Sequence, residues 1–330
     1  MFTESMLRKN PTAIHAFTGI PAEHFWLLLE KVEAEFFEYE LKRHTRADRK
    51  RAVGAGRKFE QSLPLRLVAV LTYLRLHTPQ IVISAIFGVP QHDISRDLRR
   101  LLPLIRDVLP CPEIWEIPVE NPSFIPMLPL QLDDGLALID ATEQRVSRPG
   151  GDNQTRKLFF SGKQGEFTLK TQIATDGNHH IAAVSMPVPG SMHDKKLCDK
   201  LQTLERLPRG CEVGADKGYQ GLATDNVSSV TVPNAETGAE QQVPRVTAYT
   251  PFKKTKGKEL TESQKVFNRH LAAIRVRVEH CIGWIKNWAI LATRFRCAHS
   301  IYGTIMQTIC GLVNQQTQRW QAVRASAYCA

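Results

Sequence analysis

Two short apolar runs, each ending in an acid, decide how this chain reads: LALID at 136–140 and CEVGAD at 211–216. Each has the length and composition of a buried strand, which places Asp140 and Asp216 at expected C-terminal strand ends. In mixed α/β folds, sites form at such strand ends. The surroundings are β-like as well. TLKTQIATD (168–176) and HIAAVSMPV (180–188) are strand-like runs joined by the turn Asp176-Gly177-Asn178. TAYTPF (247–252) reads as a further strand, residues 192–206 as helix, and residues 225–246 as a polar loop or insertion. A long helix is predicted from Ser263 to about Leu291, because Phe267, Leu271, Ile274, Val278, Ile282 and Ile285 recur at steps of three and four. A last helical block covers 301–325, and no repeat is visible.

The first third reads differently. Residues 21–41 carry an apolar stripe of Phe25, Leu28, Leu29, Val32 and Phe36, and LPLRLVAVLTYLRL from Leu63 is apolar enough for a buried helix. Then come a short helix at 80–87, a turn at Gly88-Val89-Pro90 and a second helix from Gln91. Gly88 supplies the freedom a sharp turn needs, and Pro90 suits a helix start. In the second helix Ile94, Leu98, Leu101 and Leu102 share one face, while Gln91, His92, Ser95, Arg96 and Arg99 point the other way. This is a helix-turn-helix with hydrogen-bonding side chains outward, suited to reading DNA; the plainer alternative is a helical hairpin with a solvated face.

The chain has 330 residues, 42% hydrophobic and 23% charged, with a net charge of +10. That allows two or three domains and favours a polyanionic partner, nucleic acid first. Between Lys42 and Lys58 lie Lys42, Arg43, Arg46, Arg49, Lys50, Arg51, Arg57 and Lys58 against the single acid Asp48. They form either a basic arm along phosphates or a solvated linker. Prolines crowd 107–134. The expected organisation is therefore a helical DNA-binding region at 1–106, a linker at 107–134 and a second domain at 135–330. No apolar run is long enough to span a bilayer, and the N-terminus lacks a signal-peptide core, so a soluble intracellular protein is expected. Seven scattered cysteines without a CxxC pair argue against a disulfide framework or structural zinc.

Asp140, Asp216 and, on the long helix, Glu279 are the candidate catalytic acids. Carboxylates suit Mg²⁺ or Mn²⁺, and three of them need cations to share a site. Two such ions about 4 Å apart can activate a water or 3′-hydroxyl and stabilise the leaving oxygen. Spacing alone is weak support, since the chain has 33 acids.

The flanking residues add specificity. Asp140-Ala141-Thr142-Glu143, Arg148-Pro149, Phe160-Ser161-Gly162-Lys163, Gly190-Ser191-Met192-His193-Asp194 and Asp216-Lys217-Gly218-Tyr219-Gln220-Gly221 resemble the motifs of DDE transposases, specifically the insertion-sequence-five group and its Harbinger-like relatives. Pro251 with Lys253 and Lys254 resembles the basic strand of that group, and Asn268 through Glu279 to Lys286 its final-glutamate helix. Arg275, Glu279 and Lys286 match the helix pattern, but Ala272 stands where the group often has tyrosine. The N-terminal helices also resemble the group's DNA-binding region. The resemblance implies an α+β chain: an all-α helix-turn-helix region, then an RNase H-like catalytic domain with a mixed sheet. It implies hydrolytic nicking of element ends, strand transfer by the 3′-hydroxyl, and dimeric or higher assembly on double-stranded DNA. It further implies two Mg²⁺ or Mn²⁺ ions per site and a cytoplasmic, nucleoid-associated location if bacterial. A catalytically silent, sequence-specific DNA-binding relative is the alternative.

Arg275, Glu279, Gly283 and Lys286 share one helix face, so Arg275 and Lys286 are expected to flank the acids as phosphate contacts, with Gly283 leaving room for a DNA backbone. Lys253 and Lys254 are further candidate DNA contacts. His193, Asp194, Lys217 and Tyr219 are candidate supporting residues, with helix capping and turn shaping as their alternatives. Glu143 falls on the opposite face from Asp140 if the strand continues. Trp284 and Trp288, one helical turn apart, read as core packing.

Overall fold

A computed structural model describes residues 2–45, 59–118, 130, 132, 134–222, 229–233 and 240–328. It divides into two compact units, Met1–Cys111 with Ile285–Ala330, and Pro112–Trp284.

The first unit is helical: α1 (Glu4–Lys9), α2 (Pro11–Thr18), α3 (Ala22–His44), α4 (Leu63–Leu76), α5 (Gln80–Phe87), α6 (Gln91–Val108), α11 (Ala289–Ala292) and α12 (Tyr302–Tyr328). Helices α1 and α2 are too short to show a periodic stripe in the sequence. The predicted α4 is buried almost all round, from Pro64 to Leu74. Gly88 ends α5 in the left-handed conformation at φ 69°. On α6, Ile94, Leu98, Leu101 and Leu102 are buried, while Gln91, His92, Arg96 and Arg99 are exposed and Ser95 is half-buried. The two faces separate as the sequence predicts. What the sequence did not suggest is Asp97, which lies buried and accepts two hydrogen bonds from Arg66 of α4, at 2.6 and 2.8 Å. The Arg66 guanidinium also stacks 3.5 Å over the Phe59 ring.

Residues 285–330 were expected in the second domain, and the structure places them in the first unit. Helix α12 buries Tyr302, Ile305, Met306, Ile309, Cys310, Leu312 and Val313. Gly311 allows a close approach, since a Cβ there would lie 2.5 Å from Cys111 Sγ, and Asn314 donates to the Pro110 carbonyl at 3.0 Å. Periodicity announces a buried face and is silent about what covers it.

The second unit holds an eight-stranded mixed sheet among the described residues. Its main path runs β1 (Glu113–Trp115), β5 (Ile181–Ser185), β4 (Glu166–Thr175), β2 (Leu136–Arg145), β7 (Glu212–Ala215), β10 (Thr247–Tyr249); β3 (Phe160–Ser161) and β6 (Val188–Pro189) pair with β4. Strands β5, β4 and β2 are antiparallel in succession, and β2, β7 and β10 are parallel. This is the α+β arrangement expected, with the mixed sheet following the helical region. Helices α7 (Asn153–Phe159), α8 (Asp194–Lys200), α9 (Thr203–Arg206) and α10 (Glu262–Lys286) complete the elements, with a separate hairpin of β8 (Ser229–Pro233) and β9 (Glu240–Pro244).

Several expectations change. The proline-crowded stretch contains β1, so the boundary falls at Cys111/Pro112. The polar insertion carries β8 and β9. The 192–206 helix breaks at Gln202, whose φ is 52°. The long helix stops at Lys286, whose Nζ donates to the Leu291 carbonyl at 2.6 Å. Strand β2 does not end at Asp140: it continues to Arg145, paired with β4. Lys253 and Lys254 follow β10 and lie outside any strand.

Side-chain alternation divides the sheet's surroundings. Ala137, Ile139, Ala174, Val213 and Ala215 share a core with Leu197 of α8, Leu201 just after it and Leu204 of α9. Leu138 and Gly214 face the other way, against Leu271 of α10.

One pH effect follows in the first unit. His77 is buried, its Nδ1 lies 2.7 Å from Thr293 Oγ1, and burial, with the nearby Arg296 guanidinium, pulls its pKa down to about 4. A histidine with a depressed folded pKa stabilises above its unfolded value and loses that stability as pH falls toward the folded one. Unfolding free energy is expected to decline between about pH 6.5 and the folded value. The variant His77→Asn, tolerable in this left-handed position, is expected to flatten the decline in denaturant titrations across that range.

Candidate active site

Ile139 pairs with Ala215 across parallel β2 and β7, so the next residues along the two strands are Asp140 and Asp216. Pairing stops there, because β7 ends at Ala215 and the chain turns at Lys217–Tyr219. Asp216 caps that turn, its Oδ1 accepting from the Lys217 amide at 2.5 Å. Asp140 Oδ1 accepts from the Ala141 amide at 2.7 Å. By alternation both carboxylates face α10, the side of Leu138 and Gly214.

Helix α10 supplies the third acid. Its sheet-facing side carries Leu271, Arg275, Val278 and Cys281, all buried. Ile274, assigned to the stripe from the sequence, is exposed. A charged residue therefore lies in the apolar seam. The Arg275 guanidinium lies 3.6 Å from Asp140 Oδ2, 3.5 Å from Asp216 Oδ1 and 3.8 Å from Glu279 Oε1. Three carboxylates from a strand, a turn and a helix thus surround one cation. Burial raises the Asp140 pKa to about 6, opposed by the Ala141 amide and Arg275 and assisted by Asp216 and Asp194. Among the described residues no three acids, histidines or cysteines form a ready metal cage. The donor chemistry nevertheless suits hard divalent ions: three carboxylates lie within 4 Å of one positive charge, and one of them is destabilised by burial.

A second charged group supports the turn from the opposite face of the sheet. Lys170 of β4, itself buried, donates to Asp194 Oδ1 at 2.7 Å and to the Met192 carbonyl at 2.6 Å, and lies 3.6 Å from Glu143. Asp194 is the first residue of α8, and it occupies the space a Cβ on Gly218 would need, 2.7 Å from its Oδ2. The charged motif before α8 is thereby pressed against the turn that carries Asp216. Lys170 was missed by sequence reasoning; its signal was the single charge inside the otherwise uncharged run from Phe167 to Thr175. Asn268, at the start of the glutamate helix, exchanges two hydrogen bonds with the Phe252 backbone and ties α10 to the segment of Lys253 and Lys254.

The remaining candidates scatter. Tyr219 is fully buried, which removes it from substrate contact and makes it part of the core. His193 and Lys217 are exposed, as are Lys253 and Lys254, the last paired with Glu259. Gly283 is exposed, with open space where a Cβ would stand. Lys286, placed beside the acids by the sequence, directs its ammonium to Leu291. In the first unit Arg96 pairs with Asp93 at 3.0 Å and Lys42 with Glu38 at 2.7 Å. The Arg43 side chain and residues Arg49, Lys50, Arg51 and Arg57 of the basic arm lie outside the described part.

A family model described as DDE superfamily endonuclease matches residues 139–314, a span that contains all three acids. A second, described as the helix-turn-helix of DDE superfamily endonuclease, matches residues 62–111, from the start of α4 to just past the end of α6. The chain belongs to the DDE superfamily endonuclease family. It is 27% identical over 271 residues to a protein described as a probable transposase for insertion sequence element IS702 of Microchaete diplosiphon, covering 82% of this chain and 87% of that protein. No solved structure matches.

The Asp194–Gly218 contact gives a prediction. Gly218→Ala is expected to destabilise by about 1–3 kcal/mol through overpacking. In an Asp194→Ala background the same change is expected to cost less, because the opposing carboxylate is gone. A denaturant double-mutant cycle reads the coupling, and strict additivity contradicts the contact.

Proposed function

We propose that this protein is a DNA transposase that hydrolyses phosphodiester bonds at the ends of a mobile element and joins the freed 3′-hydroxyl to target DNA. The observation that carries the reading is that Asp140, Asp216 and Glu279, from three separate elements, all lie within 4 Å of the one Arg275 guanidinium. Membership of the endonuclease family and the relative described as a probable transposase support it.

In this reading Asp140, Asp216 and Glu279 would hold two Mg²⁺ or Mn²⁺ ions. When bound, such ions activate the attacking oxygen and stabilise the leaving one in an in-line displacement. The chain's own contribution is placement. Register sets Asp140 beside Asp216, the Lys217 amide and Ala141 amide each fix one carboxylate oxygen, and α10 brings Glu279 to the guanidinium the two aspartates share. The exposed face of α6, with Gln91, His92, Ser95, Arg96 and Arg99, is the reader of the element's ends, where an arginine can take two hydrogen bonds from guanine. Assembly as a dimer or larger multimer on paired ends belongs to the same reading.

Asp140→Asn, Asp216→Asn and Glu279→Gln are each expected to abolish nicking of an end-bearing duplex in Mg²⁺ while leaving end binding nearly intact. Gel-resolved cleavage products and a mobility-shift assay test both halves. Metal-dependent nicking by any purified variant refutes that residue's role.

Arg96→Ala and Arg99→Ala are expected to lower the preference for element ends over random DNA, each by about 1–3 kcal/mol if it reads a base. An unchanged ratio of specific to random binding shows that this helix face is not the reader.

A further inference from the structure

Arg275 is placed unlike a surface arginine waiting for a phosphate. It sits on the buried, sheet-facing side of α10, 7% exposed. Its Nη2 lies 3.6 Å from Asp140 Oδ2 and 3.8 Å from Glu279 Oε1, and its Nη1 lies 3.5 Å from Asp216 Oδ1. All three separations exceed hydrogen-bond length, so the guanidinium is shared by the three acids and locked to none. Its Nε is buried with no hydrogen-bond partner among the described residues. Asp140 stands on β2, Asp216 just past the end of neighbouring β7, and Glu279 one helical turn beyond Arg275, an arrangement in which the ionised acids repel one another.

We propose that Arg275 is the resident counter-cation of the three-carboxylate site: it holds the acids together in the metal-free protein and competes with incoming divalent ions for them. The inference rests on the metal reading above. A single positive charge within 4 Å of three carboxylates offsets their repulsion, and the same charge opposes a doubly charged ion arriving among them. Arg275 is thus a positioning residue, and the site's ion affinity is set as much by it as by the ligands. Lysine is a poor replacement, since one ammonium is a point charge where the planar guanidinium presents separate nitrogens to separate acids.

The test uses the full-length protein without DNA, Mn²⁺ as probe, and the variants Arg275→Gln and Arg275→Lys. Bound ion is counted by electron paramagnetic resonance, and melting is followed with and without Mg²⁺. Arg275→Gln is expected to melt lower than the parent without metal, to regain more on adding Mg²⁺, and to bind Mn²⁺ roughly tenfold more tightly or better, as removal of a like charge a few ångströms away requires. Arg275→Lys should fall between the two. Equal or weaker Mn²⁺ binding by folded Arg275→Gln, with the parent binding normally, overturns the inference and leaves the metal reading standing. Failure of both proteins to bind Mn²⁺ overturns the metal reading and the inference with it. Should Arg275→Gln not fold, arginine side-chain NMR of the parent decides: a slowly exchanging guanidinium signal is expected to move and exchange faster as Mg²⁺ is added, and guanidinium signals indifferent to Mg²⁺ overturn the proposal.

Discussion

Helix α10 packs on the sheet over Gly214 of β7, and the three acids lie around the arginine in that seam. A Cβ on Gly214 of β7 would lie 2.9 Å from a methyl of Leu138, 3.5 Å from one of Leu271 and 3.8 Å from Arg275 Cγ. The tight contact is the one with Leu138, while Leu271 and Arg275 stand at ordinary van der Waals distance, so the glycine leaves Leu138 its place beneath the helix where Leu271 and Val278 bury themselves. Glu279 lies one turn beyond Arg275 on the same helix. Helix α10 thus brings a cation and an acid to two aspartates that β-sheet register has already placed side by side.

Alternation along β2 separates two charged groups that the sequence runs together. Asp140 and Glu143 are three residues apart, so they point to opposite faces of the strand. Asp140 faces α10 and shares its face with Ile173, its partner on β4. Glu143 pairs with Lys170, which also holds Asp194. The two groups meet again only through the turn after β7, where Asp194 presses on Gly218. A motif that looks like a cluster of candidate ligands is therefore divided: Asp140 and Asp216 at the site, Glu143 and Asp194 in the packing that fixes the turn. The depth of Tyr219 follows from the same construction, since its ring fills the core beneath that turn.

How much of this was legible depends on whether a residue's role is set locally. The turn at Gly88-Val89-Pro90, the outward face of α6 and the hairpin at Asp176-Gly177-Asn178 follow from short-range rules, and the structure agrees with them. Asp216 stands at a strand end as predicted because β7 is short and gives way to the turn that Asp216 itself caps. Asp140 does not, because β2 continues while β7 stops, and a one-dimensional pattern does not show which neighbour ends first. Arg275 was legible as belonging to the glutamate helix but was assigned to DNA. Periodicity sorts charged residues outward, and only the packing around Gly214 shows this one turned inward. The packing of 285–330 was hidden for a related reason. Contiguity in sequence suggested continuity of domain, while the buried side of α12 is matched by Leu109, Pro110 and Cys111.

The helix-turn-helix presents a constraint of another kind. A buried ion pair such as Arg66 with Asp97 is seldom worth more than a well-packed apolar pair, because both charges lose their hydration. What the pair constrains is the rotation of α6. An apolar seam of Ile94, Leu98 and Leu101 tolerates some rotation of α6, since neighbouring rotations bury similar area. Two hydrogen bonds from one guanidinium to one carboxylate do not, because any rotation that parts them leaves a charge buried and unpaired, at a cost of about 3–5 kcal/mol. Phe59, stacked on the outer side of the guanidinium, closes the pair from above. With α6 fixed about its own axis, Gln91, His92, Arg96 and Arg99 all point outward together. If α6 reads DNA as proposed, the fixed rotation serves it more than the extra stability of an apolar core would.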